Sequence, residues 1–252
     1  MLRTKRLMIV LLTISASAAG EAITVPNFSF ELPPVVRDEQ NPFGALPFLD
    51  DWDETAVGLA DEFDQNTGVF LNTDPQSPDH ITNPHLDRLA FVSSLVGNDL
   101  RQALTSNFAY GLSYQFTVAV GTSLTFPVGL TEELEVALFY FNGGVEQIIG
   151  STFVSGSEVN ATSLIDVTVS IPAVLQNNAW VNQPIGVLVR PVVDDPNDAD
   201  GEGFWNVDHA RLEAIDAQLP ALSTMGLGAA SILLVAMGML VIRRRVTSAA
   251  TS

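Results

Sequence analysis

The chain has 252 residues, 29 Asp and Glu against 11 Lys and Arg for a formal net charge of -18, and no cysteine. The missing cysteine excludes disulfides, thiolate nucleophiles and thiolate metal sites. All the acids fall between Glu21 and Asp216, where only Arg37, Arg88, Arg101, Arg190 and Arg211 balance them; a field without a clustered positive patch argues against nucleic acid as a partner.

Residues 1–19 have the order of a secretory signal peptide: Arg3, Lys5 and Arg6, an apolar run from Leu7 to Ile14, then the small-residue site Ala16-Ser17-Ala18. The body, 20–217, consists of short apolar or alternating runs broken by Gly, Pro, Asn and Asp, which predicts a single all-β domain. Its first strand is expected over Ile23 to Phe30. Acidic Leu49 to Asp64 reads as a hairpin or crossover loop rather than a calcium site. Leu89 to Ser94 and Leu100 to Thr105 read as two strands rather than one helix, because they are β-branched and interrupted by Gly97-Asn98. From Leu112, alternation of Leu112, Tyr114, Phe116, Val118 and Val120 predicts a strand with one buried face. A hairpin about Asn142-Gly143 follows, then strands in LIDVTVSIP, PIGVLVRPV and FWNVDHARLEAI, eight to ten in all. The acidic run Asp194 to Gly203 carries only part of a D-x-D-x-D-G calcium loop and is read as a connection.

Residues 218–252 close the chain with an uncharged stretch, 225–242, near the minimum for crossing a hydrocarbon core of about 30 Å. Arg243, Arg244 and Arg245 follow it and would stay cytoplasmic. The predicted fold class is therefore all-β, a jelly-roll β-sandwich, with an N-terminal signal peptide and one C-terminal transmembrane helix.

Few residues offer chemistry. His80, His85 and His209 lack zinc-ligand spacing, and no G-x-S-x-G elbow or phosphate-binding Gly loop with Lys is present. Asp and Glu are so numerous that any glycosidase pair would be an arbitrary choice. Sugar binding needs only an aromatic platform and a few polar groups. Trp52, Trp180 and Tyr110 are the candidates, while Trp205 beside Phe204 is read as core.

Two resemblances add to this. Pro220, Leu222, Ser223 and Gly226, followed by the apolar helix and the arginine triplet, resemble the tripartite C-terminal sorting signals of Gram-negative bacteria, of the I-P-T-L-S variety related to the P-E-P signals of exosortases. That resemblance implies an inner-membrane sorting protease that cuts near Pro220 and sends the body to the cell surface or medium. The alternative is a plain single-pass anchor holding an extracytoplasmic body.

The stretches VPNFSFE, DLRQALTSNFAYGLSYQFTVAVG and FWNVDHARLEA are similar, in that order, to galactose-binding-like and carbohydrate-binding-module jelly rolls. In such folds the terminal strands lie side by side and often hold a structural calcium. The matching residues would be Glu31 and Asp208, with Asn27 or backbone carbonyls completing the shell. The alternative leaves Glu31 solvated and pairs Asp208 with Arg211. The expected function is a non-catalytic protein, carbohydrate-binding or part of the extracellular matrix, with extracellular polysaccharide as partner. A purely structural surface protein and a secreted glycoside hydrolase are the alternatives.

Overall fold

A computed structural model describes residues 20–41, 44–55, 66–193 and 203–216. The expected signal peptide, the acidic connection after Asp194 and the whole C-terminal sorting segment lie outside these residues. Twelve strands occur among them: β1 Glu21–Ile23, β2 Ala45–Leu46, β3 Asp53–Thr55, β4 Thr67–Leu71, β5 Arg88–Ser93, β6 Asp99–Asn107, β7 Leu112–Thr122, β8 Glu133–Asn142, β9 Val145–Ser155, β10 Ile165–Ile171, β11 Pro184–Val193 and β12 Phe204–Asp216.

They form two antiparallel sheets, so the described chain is an all-β sandwich. One sheet runs β10, β7, β12, β5, β4, β2, with β1 also paired to β12, and the other runs β3, β6, β11, β8, β9. The inner faces follow from period-two patterning. Tyr114, Phe116, Val118 and Val120 of β7 are buried, as are Leu134, Val136 and Leu138 of β8 and Val187 and Val189 of β11. Trp205 and Phe30 join the same core.

Two expectations shift in detail. The first strand ends at Ile23 instead of Phe30, because Asn27 (φ 45°) and Phe30 (φ 54°) turn left-handed and curl the chain away from an extended path. The hairpin turns at Gly143-Gly144, one residue beyond the expected pair. Asn142 still pairs with Val145, and both glycines have positive φ (61° and 85°), as a two-residue primed turn requires.

Strand β12 positions the site. On one side it pairs with β7, with a bulge between Asp208 and Arg211. On the other side it pairs with β5 over Phe204 to Val207, and with β1 over Leu212 to Ala214. Between those two neighbours, Asp208 to Ala210 lack a strand partner on that side. The gap is closed by the segment after β1, where the Ala210 N–H donates to the Phe28 carbonyl at 2.7 Å. A bulge at such a change of partners re-aims side chains.

Candidate functional site

Strand β12 alternates apolar and polar until Asp208 and His209 break the rhythm. His209 sits at φ 50°, a left-handed conformation that costs a residue with a Cβ about 1 kcal/mol. The bulge sends the imidazole outward while Ala210 returns to the core.

Asp208 is fully buried beneath this bulge. Its Oδ1 accepts the backbone N–H of His209 at 2.6 Å, and its Oδ2 accepts that of His85 at 2.5 Å. These two bonds tie the segment before β5 to the bulge of β12 across 123 positions of sequence. Burial pushes the Asp208 pKa up to about 6, reinforced by the negative charge of Glu31 and opposed by the two N–H bonds and Arg211. A carboxyl of this kind exchanges its proton near neutrality, which is uncommon for Asp.

A cavity of about 520 Å³ opens over this region, lined by Asn83, Pro84, His85, Ala119, Leu164, Asp166, His209 and Arg211. The loop carrying Asn83 and His85 is pinned over the sheet. Asn83 donates to the Leu164 carbonyl at 2.9 Å and accepts its N–H at 2.7 Å. The His85 and His209 rings stack with centroids 4.3 Å apart.

Arg211 bonds the His209 Nδ1 at 2.9 Å and pairs with Asp166 at 2.7 Å. Guanidinium is only a donor, so Nδ1 must accept and the neutral ring carries its proton on Nε2. Burial lowers the His209 pKa, and the charges of Arg211 and His85 lower it further, with Asp166 opposing. The neutral ring presents an N–H donor.

The expected calcium residues lie near one another. Glu31 acts electrostatically on Asp208, as adjacency of the terminal segments requires. Their oxygens, however, are largely committed. Glu31 Oε1 accepts the N–H groups of Asp87 (3.1 Å) and Arg88 (2.9 Å), and Oε2 pairs with the Arg88 guanidinium at 2.7 Å. Asn27 Oδ1 accepts the Leu32 N–H at 3.1 Å, while its amide donates to the carbonyls of Leu32 and Asp50. With two lone pairs per oxygen, Asp208 keeps two acceptor positions and Glu31 one, so a shell of six to eight oxygens would need three or more from other groups. Among the described residues no group of three or more His, Asp or Glu is placed to hold a metal ion. Arg211, the alternative partner for Asp208, is directed instead to Asp166 and His209.

The aromatic candidates lie elsewhere. Trp52 is 5% exposed and packs on Phe30 with centroids 5.1 Å apart, so it serves the core and is no open platform. Trp180 is half-buried against Phe108, and Tyr110 is 65% exposed. Both flank the Leu112 end of β7, about 20 Å along the strand from Ala119 in the cavity wall. The residues that do converge, His85, Asp166, His209 and Arg211, come from three stretches distant in sequence: the segment before β5, strand β10 and strand β12.

The family model for HpiC1 cyclase, of the HpiC1-like family, matches residues 21–212. No curated protein matches the chain. Among solved structures, the Stig cyclase Fisc from Fischerella sp. TAU, in complex with (3Z)-3-(1-methyl-2-pyrrolidinylidene)-3H-indole, is similar at TM-score 0.59 and 18% identity. The match covers 79% of this chain and 100% of that one. A Fischerella sp. TAU cyclase in complex with 4-(1H-indol-3-yl)butan-2-one matches at TM-score 0.56 and 20% identity, over 79% of this chain and 99% of that one. A CBM22-1 xylan-binding domain from Paenibacillus barcinonensis has TM-score 0.44 and 10% identity, over 80% of this chain and 99% of the domain.

The family match corrects the functional expectation. A non-catalytic, carbohydrate-binding or matrix-building role is overturned, because the matched family is one of cyclases and spans almost the whole body. A β-sandwich pattern does not say which chemistry the fold carries, so the pattern alone favoured the wrong class. The chain belongs to the HpiC1-like family of cyclases.

Proposed function

We propose that the protein is a cyclase that closes a ring within one substrate molecule by proton transfer, in the cavity walled by His85 and His209. The observation that carries this reading is Asp208, fully buried directly behind both residues and held near pKa 6. At pH 7 about one molecule in ten carries the proton, and the remainder are poised to take one up.

In this proposal the stacked imidazoles of His85 and His209 part to let the substrate reach the buried carboxyl behind them. Asp208 gives its proton to an electron-rich double bond, leaving a cation at the adjacent carbon. A second π-bond of the same molecule attacks that carbon, forming the ring bond. The carbon skeleton then loses a proton, which returns to Asp208, so product and substrate are isomers. The neutral His209 donates a hydrogen bond through Nε2 and repels the developing cation less than imidazolium would. Pro84, Ala119 and Leu164 supply the apolar part of the wall, and the Asp166 carboxylate faces the developing cation. Indole-bearing compounds are the proposed substrate class, supported by the indole ligands of the Fischerella cyclases.

The test is to incubate the purified protein with alkenyl indoles in D2O. The expected product has the substrate's composition with one deuterium at carbon, since the carboxyl proton exchanges with solvent. A cyclised product without deuterium would exclude proton transfer from an exchangeable acid.

A further inference from the structure

Phe28 lies outside the cavity lining but touches both imidazoles that form it. Its ring meets His85 edge-on with centroids 5.1 Å apart, and His209 in a tilted contact at 5.8 Å. With the His85 and His209 stack this makes a triangle of three rings at the cavity's edge. Phe28 is nevertheless 40% exposed, and Leu86, the residue after His85, is also exposed. Singly exposed apolar side chains are common, but this one is held against both imidazoles of the cavity.

That placement is rigid. The Phe28 carbonyl accepts the Ala210 N–H at 2.7 Å, the left-handed residues Asn27 and Phe30 flank it, and the Asn27 side chain bonds Leu32 and Asp50. None of these contacts uses the phenyl ring. The backbone of the N-terminal segment closes the gap beside β12, and the ring is left over as a free apolar face beside the two histidines.

We infer that Phe28 is a specificity-determining residue of the cavity, its ring selecting substrates that carry a flat aromatic group over aliphatic ones. This rests on the cavity being the substrate site. Aromatic rings meet edge-to-face or offset, and such a contact contributes beyond area alone. A phenyl face also attracts a passing cation, which water-filled or aliphatic walls do not.

The experiment is calorimetric titration of the purified protein with 4-(1H-indol-3-yl)butan-2-one and, separately, 2-octanone. Wild type is compared with Phe28→Leu, Phe28→Tyr and His85→Ala. The inference expects Phe28→Leu to weaken the indolyl ketone by about threefold to tenfold, with 2-octanone unchanged and Phe28→Tyr near wild type. Because the bond from the Ala210 N–H to the Phe28 carbonyl does not depend on the ring, Phe28→Leu is expected to melt within about 4 °C of wild type. Equal weakening of both ketones would overturn the inference, as would no effect of Phe28→Leu while His85→Ala abolishes binding, and that second result would leave the cavity reading standing. Wild type that binds neither ketone would overturn the cavity reading and the inference together.

Discussion

Asp208→Asn should lower kcat by about 10²-fold to 10⁴-fold, the usual contribution of a positioned acid or base. Asn keeps the shape of the side chain and can still accept one of the two backbone N–H bonds from His85 and His209. It has no proton to give near neutrality. Its NH2 faces the other backbone N–H, leaving a buried donor unpaired at a cost of about 1–3 kcal/mol. Activity and stability can be separated by pH. The folded pKa of Asp208, about 6, stands above the ordinary aspartate value of 3.8, so the native state binds the proton more tightly than the unfolded chain. Stability from this group is present below pH 4 and is lost as pH rises towards 6, by roughly 3 kcal/mol at most. The difference in unfolding free energy between wild type and Asp208→Asn should therefore move in the variant's favour between pH 4 and 6. Chemical denaturation at several pH values measures it, and a constant difference would show that Asp208 titrates normally.

His209→Gly should uncouple activity from stability. The imidazole is held at φ 50°, a conformation glycine adopts without cost and alanine does not. His209→Gly is expected to be about 1 kcal/mol more stable than His209→Ala, since both lose the ring and only glycine relieves the strain. Both should lose activity by about 10²-fold, the effect of removing one hydrogen-bond donor at a reacting centre. Both also lose the stack on His85 and the contact with Phe28. Unfolding midpoints and kcat on the same two proteins check this. Equal stability of the two would mean that the backbone at His209 relaxes in solution.

Much of the fold is written in local pattern. Alternation through Tyr114, Phe116, Val118 and Val120 marks β7 because one face of that strand is core, and Trp205 reads as core for the same reason. The short strands β2, β3 and β4 were not anticipated. They gain their identity from pairing partners distant in sequence, and a run as brief as Ala45–Leu46 has no periodicity of its own. The nearness of Glu31 to Asp208 was legible, since the N-terminal segment was expected to lie beside the final strand. What Asp208 does there was not. Its partners are backbone N–H groups, which every residue possesses, so no side-chain spacing announces them. The histidines read as isolated because His85 and His209 meet only through the junction of β5, β12 and the segment after β1. One signal was available: in FWNVDHARL two consecutive polar residues interrupt an alternating strand, the mark of a bulge that re-aims a side chain.

The central claim is that a buried carboxyl at the cavity holds its proton near neutrality. Carbon-detected NMR titration of the Asp208 side chain in the folded protein tests it most directly. The account predicts a midpoint of about 6, and a lower one in Glu31→Gln, where the like charge is gone while an oxygen remains to accept the Asp87 and Arg88 N–H groups. A midpoint at or below about 4, unmoved by Glu31→Gln, would contradict it.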